Sequence, residues 1–144
     1  MAKRILISVK DSIESETLVA VVADAARSAG STIRVMAVKP LPENVVGDYG
    51  RVVAYASQEM ARLEAEGERD LESITAGVSD VPIERVVRFG DPVTETLLEA
   101  ETWNADLIAV AAGERSWRGR LSRRSEADAI LRKSAVPVLI YRGR

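Results

Sequence analysis

The stretch GERSWRGRLSRRSE, residues 113–126, sets five arginines and two glycines into fourteen positions, directly after an apolar run. Guanidinium groups at this density recognise phosphate or carboxylate oxygens, and glycine turns let backbone N–H groups approach an anion closely. Three chemistries fit: an anion-binding loop, a nucleotide loop that has lost part of its pattern, and a solvated turn. Trp117 within the stretch either anchors a partner or packs against the body of the protein. A second polar cluster, Lys10, Asp11 and Ser12, follows the first apolar run. Lys10 and Asp11 read either as an acid–base pair or as a surface cation beside a helix cap. Ser12 and Ser125 stand where a helix starts, a place serine suits with or without a ligand.

Other chemistry is excluded by what is absent. With no histidine and no cysteine, the chain lacks the commonest zinc ligands, thiol nucleophiles, Ser-His-Asp triads and imidazole acid–base catalysis. Neither G-x-x-x-x-G-K-[ST] nor G-x-G-x-x-G occurs, so the familiar phosphate loops do not apply. Net charge is −2, and the arginine stretch carries +3 of local charge, leaving −5 on the remainder. That balance, and a tryptophan without interleaved aromatics, argue against nucleic acid as a partner. An acidic or phosphorylated partner suits the arginines better.

The elements that must position these residues follow from periodicity. ILISV, residues 5–9, is a β-branched apolar run of the kind covered on both faces of a parallel sheet. Asp11 and Glu14 form a capping pattern before a helix with Leu18, Val22, Ala25, Ala26 and Ala29 on one face, closed by Gly30. TIRVMAV, 32–38, is a second strand, and the prolines and glycines of 39–50 mark a loop. Ala56, Met60, Leu63, Leu71, Ile74 and Val78 outline a long helix in which Gly67 is a weak point, about 1 kcal/mol worse than alanine. PIERVVRF, 82–89, suits a sheet edge, and Gly90-Asp91-Pro92 supplies turn, cap and first helical residue for a helix with Val93, Leu97, Leu98 and Trp103. ADLIAVAA, 105–112, is a fourth strand, Ala127, Ile130 and Leu131 mark a last helix, and PVLIY, 137–141, is a fifth strand. The order βαβαβαβαβ implies one α/β domain over 1–144, a doubly wound parallel sheet with helices on both faces. Ligands of such folds bind beyond the carboxyl ends of the strands. Those ends are residues 9–12, 38–40 and 112 onward, so topology alone sends the arginine stretch to the cleft. The N-terminal apolar run is too short for a signal peptide or a membrane span, and the expectation is a soluble, cytoplasmic protein.

Three segments, ILISVKDS, VRFGDPVTETLLEAETWNADLIAV and GERSWRGRLSRRSEADAILRKSAVPVLIYR, make the chain resemble the universal stress protein family over its whole length. The resemblance implies a five-stranded parallel sheet of order 3-2-1-4-5, a homodimer joined through the C-terminal strand, and either a nucleotide-binding or a non-binding branch. Binding members are similar to G-x-x-G-(nine residues)-G-[ST] after the fourth strand and to V-D-G-S after the first. Here Gly113 matches the first glycine, Ser116 stands for the second, and Arg124-Ser125 stands for the closing Gly-Ser in a loop two residues shorter. Lys10 occupies the acidic position of the first strand, with Asp11 one residue late, and Val38 closes the second strand. Arginine in place of glycine removes the permissive backbone, and lysine removes an acceptor. The expectation is therefore a non-catalytic, dimeric binding or regulatory module with a degenerate nucleotide loop. Its site residues are Lys10, Asp11, Val38, Gly113, Ser116, Arg124 and Ser125, and its ligand is a phosphate-type anion. The alternative is an ATP- or AMP-binding stress protein or a weak nucleotide hydrolase, with lysine and arginine side chains holding phosphate.

Overall fold

The computed structural model describes residues 2–10, 13–42, 51–112 and 123–142. Strands and helices alternate throughout: β1 Arg4–Val9, α1 Ile13–Ala29, β2 Thr32–Lys39, α2 Arg51–Thr75, β3 Ile83–Phe89, α3 Pro92–Trp103, β4 Leu107–Ala111, α4 Arg123–Lys133 and β5 Val138–Tyr141. The strands form one parallel sheet in the order β3-β2-β1-β4-β5. This is the doubly wound α/β arrangement expected from the alternation. β3 and β5 are its edges, as the charges of the one and the terminal position of the other imply.

Because side chains alternate across a strand, each strand feeds two cores. Ile5, Ile7 and Val9 of β1 join Ile33 and Val35 of β2 and Ala109 of β4 beneath α1 and α2. Leu6 packs with Met36, Ile108 and Val110 on the other side, beneath Ala100 and Trp103 of α3 and Ile130 of α4. Ser8 points to that second side, where Thr96 of α3 donates a hydrogen bond to its hydroxyl at 3.1 Å. A buried hydroxyl pair is thus satisfied within the core.

Local signals hold at the predicted places. Gly30 closes α1 in the left-handed region with φ 70°, and Asp91 caps α3, accepting from the Thr94 N–H with Pro92 at the first helical position. Asp106, in the turn before β4, accepts from the backbone N–H groups of Lys3 and Arg4, both at 2.9 Å. It thereby ties the start of the central strand to its neighbour. Helix faces depart in detail. Ala25 is exposed while Val19 and Ala23 are buried, Leu98 and Leu131 face solvent, and Val78 lies beyond the end of α2.

Gly67 corrects the expectation of a weak point. It is buried in α2, and a Cβ there would stand 3.0 Å and 3.1 Å from the two methyls of Val87 and 3.3 Å from Lys39 Cε. Glycine lets α2 lie close to β3, and valine in a strand has little rotamer freedom with which to yield. Gly67→Ala should therefore forgo the usual helix gain and lose about 1 kcal/mol instead. Urea unfolding midpoints of the two proteins check this; a stabilised variant would mean that β3 shifts freely.

On its α3 side β3 is lined with charge. Arg34 of β2 donates to Glu99 at 2.5 Å and Glu84 at 3.1 Å, and Arg88 donates to Glu95 at 2.8 Å and Glu99 at 2.7 Å. Glu99 is buried, its side chain only 5% exposed. The Arg34 guanidinium also lies over the Trp103 ring, 4.6 Å from its centre. Burial works against the Arg34 cation, but Glu99 and Glu84 outweigh it and raise its pKa; for Arg88, the Glu95 hydrogen bond leads the same upward shift. Glu99→Ala would leave Arg34 with Glu84 alone and Arg88 with Glu95 alone, each with a donor unanswered, and should cost about 2 kcal/mol. A thermal unfolding scan tests it, with Leu98→Ala, on the exposed side of the same helix, nearly neutral.

Candidate functional site

The strand order reverses between β1 and β4, since β1, β2 and β3 run outward in one direction and β4 and β5 in the other. A crevice at the carboxyl ends of these two strands is where an open α/β sheet accepts ligands. Register assembles its floor. Val9 lies beside Ala37, and Ser8 beside Val110. The next positions, Lys10, Val38 and Ala112, therefore emerge together at one edge of the sheet.

Lys10 follows the last residue of β1, and its backbone N–H donates to the Ser15 hydroxyl at 3.2 Å, which ties the end of β1 to the first turn of α1. Its side chain is 53% exposed and carries its ammonium to 3.8 Å from a carboxylate oxygen of Glu126. Glu126 sits in the first turn of α4, where the helix dipole favours a negative charge. The pair thus links the end of the central strand to the start of the helix that follows β4. Val38 is partly buried and packs against the α3 and α4 core.

The other expected site residues divide. Arg124 and Ser125 lie in the first turn of α4 beside Glu126, with side chains outside those described. Asp11, Gly113 and Ser116 lie outside the described residues, as do Ser12, Trp117 and Arg118. What the structure brings together is Lys10, Val38 and the backbone start of α4. Sequence reasoning missed Glu126 as a partner, although an acidic residue in the first turn of a helix was a usable signal.

Lys39, the last residue of β2, points to the opposite side from Val38. It meets Glu66 and Asp70 of α2, both at 3.2 Å. Its charge is therefore committed to holding α2. A groove of about 460 Å³ lies between the C-terminal part of α3 and the segment after α4, lined by Leu97, Ala100, Ile108 and Val136. It opens at the amino ends of the strands, away from the crevice. Among the described residues no group of acidic side chains is arranged to hold a metal ion. No helix among them is long and apolar enough to cross a membrane.

The family model described as the universal stress protein family matches residues 1–142. A search of curated proteins finds no match. Among solved structures, universal stress protein UspA from Lactobacillus plantarum superposes with a TM-score of 0.73 at 15% identity, covering 97% of each chain. A universal stress protein in complex with cAMP gives 0.67 at 19% identity, covering 98% of this chain and 97% of that one. The Archaeoglobus fulgidus protein in complex with dAMP gives 0.60 at 18%, covering 96% of each. At these identities the likeness concerns the fold.

Asp91, which opens α3 after β3, supplies a test by pH. The Thr94 backbone N–H, and then its hydroxyl, hold the Asp91 carboxyl below its ordinary range. A carboxylate with a depressed folded pKa stabilises the fold above its unfolded value, near 4, and loses that contribution as pH falls through the folded value. Asp91→Asn keeps the cap but does not titrate. Its unfolding midpoint should fall less than that of the parent protein between about pH 5 and pH 2; parallel curves would show that the cap carries no charge-dependent stability.

Proposed function

This chain belongs to the universal stress protein family, and on that premise we propose that it is a non-catalytic, dimeric binding and regulatory module with a degenerate nucleotide loop. The observation that carries the reading is the charge at the crevice. An ammonium ends the central strand where the family resemblance calls for a carboxylate, and it is met by Glu126. An adenosine ribose or amine gains no acceptor from Lys10. The loop pattern, with Ser116 and Arg124 in glycine positions, adds a steric objection to close phosphate contact. The chemistry available without histidine and cysteine favours binding over turnover.

A second reading, binding of an adenine nucleotide, is favoured by one specific observation. Two of the solved relatives hold cAMP and dAMP. In that case Lys10 and the arginines of the loop would meet the phosphates through side chains.

Assembly follows from the contrast between the two sheet edges. β3 carries Glu84, Arg85 and Arg88 and is preceded by Pro82, devices that discourage strand pairing. β5 reads Val-Leu-Ile-Tyr with no charge, and Leu139 is 39% exposed. A second copy pairing along β5 across a two-fold axis covers it. The protein acts in the cytoplasm, and its arginine loop addresses a phosphate-type anion or an acidic or phosphorylated partner.

Protein purified and then denatured should release no nucleotide into the supernatant, measured by ultraviolet absorbance. Stoichiometric release would replace the first reading with the second. Light scattering at about 50 µM, a concentration that populates dimers of modest affinity, should return twice the chain mass. Leu139→Lys should return it to the mass of one chain, and an unaltered mass would place the interface elsewhere.

A further inference from the structure

Lys10 and the start of α4 belong to the two connections that flank the reversal of strand order, so any contact between them crosses the mouth of the crevice. An anion entering there meets two attractions: the Lys10 ammonium and the positive end of the α4 dipole. One anion of the chain already faces the first of these from the first turn of the helix that supplies the second. The Glu126 carboxylate belongs to the first turn of α4 and stands 3.8 Å from Lys10 Nζ. Its side chain is only 20% exposed, whereas that of Lys10 is 53% exposed. The carboxylate is therefore the inner member of the pair and the ammonium the outer one.

We propose that Glu126 is an internal competitor at the crevice: its carboxylate takes the position between Lys10 and α4 that a phosphate group would take, and an incoming phosphate must displace it. The inference rests on the reading of this crevice as the ligand end of the fold. Two electrostatic effects act in the same direction. Glu126 draws off the Lys10 charge, and it repels a second anion brought within a few ångströms. Both weaken with added salt, since Lys10 is open to solvent. The device sets a threshold: a single weak anion is turned away, while a ligand with several phosphates, or a phosphorylated segment with further contacts, supplies enough attraction to turn Glu126 aside.

Inorganic pyrophosphate is the probe, because it carries the charge of a nucleotide tail without the base or ribose. Titration calorimetry compares the full chain with Glu126→Gln and with the double variant Glu126→Gln, Lys10→Met. The amide keeps the size of the side chain and removes its charge, and circular dichroism confirms that each variant is folded. Glu126→Gln should bind pyrophosphate about three to ten times more tightly than the parent at low salt. The double variant should lose that gain. Equal affinity of parent and Glu126→Gln would overturn the proposal, as would a gain that survives loss of Lys10, or no binding by either chain at about 10 mM pyrophosphate. These outcomes are separate from the nucleotide released on denaturation. Nucleotide there with no effect of Glu126→Gln would sink both readings, whereas a clean protein with no effect would sink only this one.

Discussion

Leu6 and Ile7 are neighbours in the chain, point to opposite faces of the sheet, and are both sealed from water. Nearly every other feature depends on this double burial. A strand that is apolar on both faces must have helices above and below it, and parallel neighbours reached by crossovers supply them. Two crossovers to one side and two to the other place β1 at the centre and produce the order β3-β2-β1-β4-β5. The reversal of direction at β1 opens a crevice at the carboxyl ends. The place of that crevice is thus a consequence of where this doubly buried strand has to lie.

The same logic explains where charge enters the interior. α3 and α4 cover the middle and the β5 side of one face, and the α3-facing positions of β3 are Glu84, Val86 and Arg88. An apolar stripe there would have been half wet. Arg34 and Arg88 fill the space instead, with their hydrocarbon stems along the sheet and their guanidinium groups on Glu99 and its neighbours. A buried carboxylate with two arginine partners adds little net stability over an apolar replacement, but it is intolerant of losing one member. It also pins the direction of α3 against the edge, since each guanidinium is held between two carboxylates and directed bonds do not slide as methyl packing does.

Elements whose signals are local were legible in the residues. The runs at 5–9 and 105–112 announced strands buried on both faces, Gly30 announced a left-handed helix end, and Asp91-Pro92 announced a helix start. What could not be read were properties set by a neighbour distant in sequence. Gly67 looks like a defect in α2 until Val87 is placed 3.0 Å from its missing Cβ. Glu99, in a helix with Glu95 and Glu101, looks like part of a solvated face until Arg34 arrives from β2, 65 residues away. Ala25, Leu98 and Leu131 show the same limit at lower stakes. Period 3.6 locates a face, whereas the width of the buried stripe depends on how far the helix overhangs the sheet. Of the expected site, Lys10 and Val38 could be located, and Arg124 and Ser125 by backbone. The remaining expectations fall on Asp11, Gly113 and Ser116, outside the described residues.

Charge at the crevice can change while the fold does not, because the two draw on different residues. Burial of β1 and β4 ends at Val9 and Ala111, and Lys10 lies one residue beyond, half in water. A cation there adds no buried charge, provided its carboxylate partner is carried by a helix whose dipole already welcomes one. α4 meets that condition with Glu126 in its first turn, while Ala127 and Ile130 hold the helix on the sheet. The ion pair therefore draws nothing from the core, and its strength is set by solvent rather than by packing. An interaction of this kind is weak and lies close to the helix end. Both properties follow from Lys10 standing just outside the buried sheet.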